Sequence, residues 1–251
     1  TEDQSCRFKD EKIRRLVEDR INKDFIGTLE DDKIIYTMLD LEQFIGQEIN
    51  WVSGITFDEI VETKGGWLPN KLHRYCTVHL KVEPIFYWCA ENTNLPIILR
   101  FGYRANEFRR AKKVYDRAIE GSIYYKATFG KHQKGRHVGK NKWEEVEYYK
   151  PQFPLIEDQI YKDNIERFWE GKPVRFAEHN NCVGCFHRNH LLLKRMYESE
   201  HKNKMLWFEK QEGGKNGYWK SNVSYEQIRK HPTQLHLELN FSECDSGFCE
   251  L

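Results

Sequence analysis

The spacing of apolar residues alternates between two periods along residues 10–52, and this limits the possible folds more than any other feature of the chain. Over 10–23, Ile13, Leu16, Val17 and Ile21 recur at three- and four-residue intervals among charges, which predicts an amphipathic helix. Residues 24–28 form a short apolar run ending in Gly27 and Thr28, the pattern of a buried strand and its turn. Helical spacing returns over 31–46 with Ile34, Ile35, Met38, Leu39, Leu41 and Phe44, and Gly46 supplies a stop signal. Residues 48–52 read as the next strand. Helix, strand, helix, strand at this rhythm predicts an α/β fold built on a doubly wound parallel sheet with helices on its faces. Ligands of such sheets sit beyond the carboxyl ends of the strands, so the turn at Thr28 is a candidate site, with a plain connection as the alternative.

Further along, Thr56 caps a short helical pattern over 56–63, and Gly65-Gly66 breaks it. Cys76 precedes an aromatic helical stretch at Phe86, Tyr87 and Trp88. Residues 97–103 predict another buried strand, with Arg104, Glu107, Arg109 and Arg110 at its carboxyl end, where charged side chains face a ligand or simply begin a solvated helix. The rhythm breaks over 121–151. There Lys126, Lys131, Lys134, Arg136, Lys140 and Lys142 are interleaved with Tyr124, Tyr125, Phe129 and Trp143. Cations among rings suit a phosphate backbone and stacked bases, making this segment a candidate for nucleic acid; a solvated hairpin or loop is the plainer alternative. Helical patterns resume from Pro154, and 191–211 reads as one amphipathic helix. The expected organisation is an α/β core over 1–120, a basic aromatic insertion over 121–151, and a helical, cysteine-bearing region over 152–251.

Cys182 and Cys185 form a C-x-x-C knuckle, which brings two sulfurs within reach of one ion. Zinc, an iron–sulfur cluster, a redox dithiol or two buried cysteines would each account for it. His187, His190, Cys76, Cys244 and Cys249 are the candidates to complete a metal site. Seven irregularly spaced cysteines argue against a secreted disulfide framework and for a reducing cytoplasm. The net charge of +1 gives no global attraction to nucleic acid, so any basic surface has to be local. No apolar run approaches the roughly 18–20 residues that span a bilayer. Thr1-Glu2-Asp3-Gln4 opens on charges rather than an apolar leader, so no signal peptide is expected. The first residue is not methionine, so a segment upstream of Thr1 is expected either to have been removed or to be absent from the sequence.

Three stretches in order resemble the phosphoadenylyl-sulfate (PAPS) reductase-like members of the PP-loop adenine nucleotide α-hydrolase superfamily. Leu68-Pro69-Asn70, leading to Arg74-Tyr75-Cys76-Thr77 and Leu80-Lys81-Val82-Glu83-Pro84-Ile85, resembles the segment that carries one or two cysteines before a basic helix. Phe101-Gly102-Tyr103-Arg104-Ala105-Asn106-Glu107 with Arg109-Arg110 is similar to a G-x-R-x-D-E-x-x-R pattern, with Asn106 in the aspartate's place. Asn181-Cys182-Val183-Gly184-Cys185-Phe186 matches the later knuckle.

The resemblance spans about residues 25–211 and implies a doubly wound, HUP-like fold that binds ATP or an adenylyl sulfate. Thr28, Lys81, Arg104, Glu107, Arg109 and Arg110 would line the nucleotide site, for adenylate-type hydrolysis, reduction or sulfur transfer. In cluster-bearing relatives a cysteine pair and a later C-x-x-C hold a [4Fe–4S] cluster. The matching positions here are Cys76, Thr77, Cys182 and Cys185, one sulfur short, so zinc on three cysteines with His187, His190 or Cys244 stands beside the cluster. Glu243-Cys244 faintly resembles the reductases' E-C-G motif without its glycine, which makes Cys244 the candidate nucleophile. The family's S-G-G-x-[DT]-S phosphate loop does not occur in the sequence. A loop-less PP-loop fold serving as a binding module for nucleic acid or protein is the alternative.

Overall fold

Asp10, Thr56 and Asn189 each turn a side-chain oxygen onto first-turn N–H groups of a helix, donors that the helix cannot satisfy from within. The helices they start belong to one of two units in the computed structural model: Thr1–Pro84 together with the chain from Pro173 onward, and Ile85–Lys172. The structure describes residues 1–179, 182–211, 219–220 and 223–230.

In the first unit, α1 (Glu11–Ile21) and α2 (Lys33–Ile45) fall where the apolar spacing predicts them, and they pack around Phe8, Val17 and Ile35. α3 (Phe57–Thr63) starts on a reciprocal capping box between Thr56 and Glu59. The one-turn α4 (Tyr75–Thr77) runs into a π-helical turn, Val78–Val82, a wider winding that recurs at functional sites. Residues 24–28 and 48–52, expected as strands, are not strands here: neither belongs to a sheet among the described residues. Side chains of the neighbouring helices take up several of their backbone groups, and Phe8 N–H donates to Ile26 O at 2.8 Å. Phe25 N–H donates to Glu18 Oε1 at 3.1 Å, Arg14 Nη1 donates to Phe25 O at 2.9 Å, and Ile49 N–H donates to Glu42 Oε1 at 2.9 Å.

The second unit holds α5 (Glu83–Asn92) from its third residue onward, then β1 (Ile97–Arg100), α6 (Phe108–Tyr115), β2 (Ile123–Lys131), β3 (Asn141–Gln152), α7 (Pro154–Glu157) and α8 (Lys162–Trp169). Its sheet is three-stranded and mixed, in the order β1-β3-β2. β1 runs parallel to β3 with Ile97 opposite Tyr149, and β2 and β3 form an antiparallel hairpin. Rings fill the core: Phe86 meets Tyr125 and Tyr148 at 4.3 and 5.0 Å between centroids, and Phe153 stacks on Phe101 at 5.4 Å. β1, expected as a buried strand, lies at the sheet edge with Ile98 60% exposed.

Back in the first unit, the helix expected over 191–211 is two, α9 (His190–Tyr197) and α10 (Lys202–Glu209). Ser199 breaks it by offering the backbone a competing partner. Its hydroxyl donates to Met196 O at 2.7 Å and accepts from His201 N–H at 3.3 Å. α11 (Tyr225–Lys230) packs on α9 through Tyr225 and Ile228. The architecture is therefore mixed α/β with a small sheet. No helix of the described residues is long and apolar enough to cross a membrane.

Candidate functional site

The C-x-x-C knuckle is a tight turn in which Cys185 N–H donates to Cys182 O at 3.3 Å. Gly184 makes it possible: its φ is +73°, and an added Cβ would lie 2.9 Å from Tyr225 Oη and 3.0 Å from Met205 Cγ. Distant segments fix the turn through its backbone. Val183 N–H donates to Leu29 O at 2.8 Å, Tyr225 Oη to Gly184 O at 2.6 Å, and Arg188 Nε to Cys182 O at 3.1 Å. Lys220 Nζ donates to Phe186 O and Arg188 O at 2.7 and 2.6 Å.

Cys76, far upstream in sequence, packs against the same apolar cluster as Cys182 and Cys185, built on Leu29, Phe186, Trp207, Phe208 and Trp219. Burial pushes the Cys182 thiol well up; Glu30, Cys185 and Cys76 add to the rise, and Lys81 opposes it. Burial also raises Cys76, against a hydrogen bond with Thr77 and the charges of Arg74 and Lys81. Lys220 carries its charge beside Cys185. Burial, then Arg74, Lys71 and Lys220, hold His187 down at about 4, so its imidazole is neutral at pH 7, the form that binds metals. His190 is exposed at the first position of α9.

No three His, Cys, Asp or Glu side chains among the described residues stand in position to hold a metal ion. The donor chemistry nevertheless suits a soft cation. Three clustered thiols could surrender their protons to a metal, and Arg74, Lys81 and Lys220 would balance the surplus negative charge of the thiolates. Cys244 and Cys249, the remaining sulfur candidates of the carboxy-terminal stretch, lie outside the described residues.

Beside the knuckle opens a cleft of about 690 Å³, lined by residues 23–30, 52–57, Leu80, Lys81 and Cys182 among others. Thr28 and Lys81 thus share one space with a knuckle sulfur residue. Thr28 Oγ1 accepts from Glu30 N–H at 3.3 Å and shapes the turn. Lys81, on the π-helical turn, pairs with Glu30 at 3.4 Å, and Lys23 pairs with Glu59 at 3.7 Å.

The other four candidate nucleotide residues belong to the second unit. Glu107 binds two of its arginines, Arg104 Nε at 3.0 Å and Arg110 Nη1 at 2.6 Å, and Arg110 also covers the Tyr103 ring at 4.2 Å. Burial would raise the Glu107 carboxyl, but the hydrogen bonds from Arg104 and Arg110 hold it below its usual range. Arg109 is exposed. Lys131, Lys134, Arg136, Lys140 and Lys142 all lie at the far end of the β2–β3 hairpin and are exposed.

Sequence patterning missed a buried polar group in the first unit: Asp31, Arg188, His201 and Lys204. Lys204 Nζ donates to Glu30 O and Asp32 Oδ1, each at 2.6 Å, and His201 Nε2 lies 3.7 Å from Asp31 Oδ2. One signal was present, the doubled acid Asp31-Asp32 where α2 begins. The lysine inside α10 carries no local signal of burial. Comparison with family models, with curated proteins and with solved structures gives no match for this chain.

Proposed function

We propose that the protein binds an adenine nucleotide, ATP or an adenylyl sulfate, in the cleft of the first unit, as a PAPS reductase-like protein of the PP-loop type. One observation carries this reading. Thr28, expected to line the nucleotide cleft, and Lys81, expected to neutralise phosphate or sulfate, meet Cys182, matched by resemblance to the metal site, around a single cleft of about 690 Å³. That volume lies within the roughly 300–1,000 Å³ of ligand pockets. Residues 24–28 and the end of 48–52 contribute to its walls.

Lys81 would give its ammonium to a phosphate or sulfate oxygen, exchanging Glu30 for the ligand. The Thr28 hydroxyl and the backbone of its turn would orient the nucleotide. Cys76, Cys182 and Cys185, with His187, would hold zinc or an iron–sulfur cluster. Such a group supplies fixed positive charge that keeps the thiolates deprotonated and ties together segments far apart in sequence. The arginines of the second unit are left out of this site because they do not line the cleft.

Titration calorimetry tests the reading. ATP or adenylyl sulfate should bind the parent protein, and Lys81→Ala should weaken binding by about 1.5–3 kcal/mol, the usual loss for a charged hydrogen bond. Absence of binding at millimolar nucleotide, or an unchanged Lys81→Ala variant, overturns it.

A further inference from the structure

Between Gly121 and Trp143 the chain carries six cations, Lys126, Lys131, Lys134, Arg136, Lys140 and Lys142, and no aspartate or glutamate. They lie along the β2–β3 hairpin, five of them at its tip. One face of the hairpin is anchored: Tyr125 and Phe129 pack on Phe86, Phe129 also meets Tyr87, and Ala127 is fully buried. Past Phe129 that support ends. From 129 to 145 every residue is exposed except the half-buried His132. The tip still has a defined backbone: His132 N–H donates to Lys140 O at 2.9 Å, Gly139 N–H to His132 O at 3.0 Å, and Lys140 N–H to His137 O at 3.0 Å. Gly135 and Gly139, at φ of +78° and +80°, make its turns.

Several surface cations elsewhere have carboxylate partners. Arg7 pairs with Glu11, Lys112 with Asp116, Arg175 with Asp40 and Arg229 with Glu226. None of Lys131, Lys134, Arg136, Lys140 and Lys142 pairs with a carboxylate among the described residues. Arg136 Nε instead approaches His137 Nε2 at 3.1 Å. Trp143, 53% exposed, stands opposite Thr128 in the ladder, on the same outward face as Lys126 and Tyr124.

We propose that this arm binds single-stranded nucleic acid, the cations following the phosphates and Trp143 stacking on a base. Five unneutralised cations on a protein of net charge +1 form a local complement to a phosphate backbone. The outward indole on the same arm selects the single strand, because the bases of a duplex are already stacked on one another. This activity is independent of the nucleotide cleft and stands whether or not that cleft binds ATP.

Fluorescence anisotropy on the full chain, with a labelled oligothymidylate, a labelled oligouridylate and a duplex of equal length, provides the test. With five phosphate contacts, doubling the salt should weaken single-strand binding about tenfold, since each contact adds about 0.7 to the logarithmic slope. Replacing the five tip cations with glutamine should abolish salt-dependent binding while circular dichroism and the melting temperature stay as in the parent. Trp143→Ala should weaken single-strand binding about fivefold or more and leave the duplex unaffected. The salt slope is read on the parent itself, so a variant that fails to fold leaves the test intact. A flat slope, unchanged binding by the glutamine variant, or tighter binding of the duplex overturns the proposal. So does equal affinity for polyglutamate or for anionic phospholipid vesicles.

Discussion

The two units solve the same problem, holding backbone in extended form, by opposite means. In Ile85–Lys172 the extended chain is a registered sheet, with β3 paired on both sides and a core of rings behind it. In the first unit no such ladder forms: Arg14, Glu18 and Glu42 bind residues 24–28 and 48–52 beside the backbone bond from Phe8 to Ile26, and Arg188, Lys220 and Tyr225 bind the neighbouring knuckle beside the bond from Val183 to Leu29. Ring packing is indifferent to pH and salt, whereas buried polar ties and thiols respond to pH. The difference teaches where ligand chemistry can act: the unit with the C-x-x-C knuckle and the cleft is the one whose backbone leans on side chains that a ligand or a proton can reach.

The largest expected effect tests the thiols. Cys182→Ser should remove stoichiometric zinc or iron and lower the melting temperature by about 10 °C, the scale expected for a few kcal/mol in a chain of this size. A chelator should do the same to the parent. Metal analysis together with a visible spectrum of anaerobically purified protein checks both outcomes, with broad absorbance near roughly 400 nm expected for a cluster of the iron–sulfur type. Parent protein purified without chelator and free of metal would end the metal reading.

Phe86→Ala strikes the other side of the comparison. Its ring is fully buried among Tyr87, Tyr125 and Tyr148, and the loss should be about 3–5 kcal/mol, insensitive to chelator. Hydrogen exchange should show the lost protection concentrated in β2 and β3. Loss centred on the knuckle instead would erase the distinction between the units.

These contrasts also explain what the sequence could and could not reveal. α1, α2 and α3 were legible because each has an apolar stripe or a capping residue that acts locally. The expected strands at 24–28 and 48–52 were not, because a strand is defined by its neighbour, and apolar residues alone do not supply one. The hairpin stood among the readings of 121–151, but its exposed, unpaired tip became visible only in the ladder. Within the candidate site, Cys182 and Cys185 announce themselves by spacing. The packing of Cys76 on the same cluster rests on contacts across the fold, and the resemblance, rather than any local pattern, pointed to it.

Lys204 tests the polar ties directly. Lys204→Ala strips Asp32 and Glu30 O of their buried partner and should cost about 2–3 kcal/mol in urea denaturation. Adding Asp32→Leu to Lys204→Met should recover much of that loss. If the double variant falls further than the single, the ammonium has a role beyond pairing.

The smallest effect belongs to the clamp between Asp40 and Arg175. Arg175 donates from its backbone N–H, Nε and Nη2 to the Asp40 carboxylate at 2.9, 2.7 and 2.7 Å, which holds that carboxyl at about 2. Because the folded value lies below the ordinary 3.8, the contribution is present above pH 3.8 and disappears as pH falls toward about 2. Arg175 is largely solvent-exposed, so Asp40→Asn should cost no more than about 1 kcal/mol. The variant should flatten the acid limb of the stability curve in that window, and a curve parallel to the parent's would remove the clamp from the account.

The hydrogen bond from Val183 to Leu29 has a consequence for how the molecule comes together. It closes a loop that contains the whole of Ile85–Lys172, so one unit is an insertion within the other. Ordering so long a connection costs conformational entropy that grows only with the logarithm of its length, and a stretch that has already collapsed on local contacts shortens it further. The inserted hairpin and its aromatic core can therefore form early, while the two halves of the enclosing unit meet late. The knuckle, which needs Leu29, Tyr225 and Lys220 in place at once, becomes a marker for the last step of assembly.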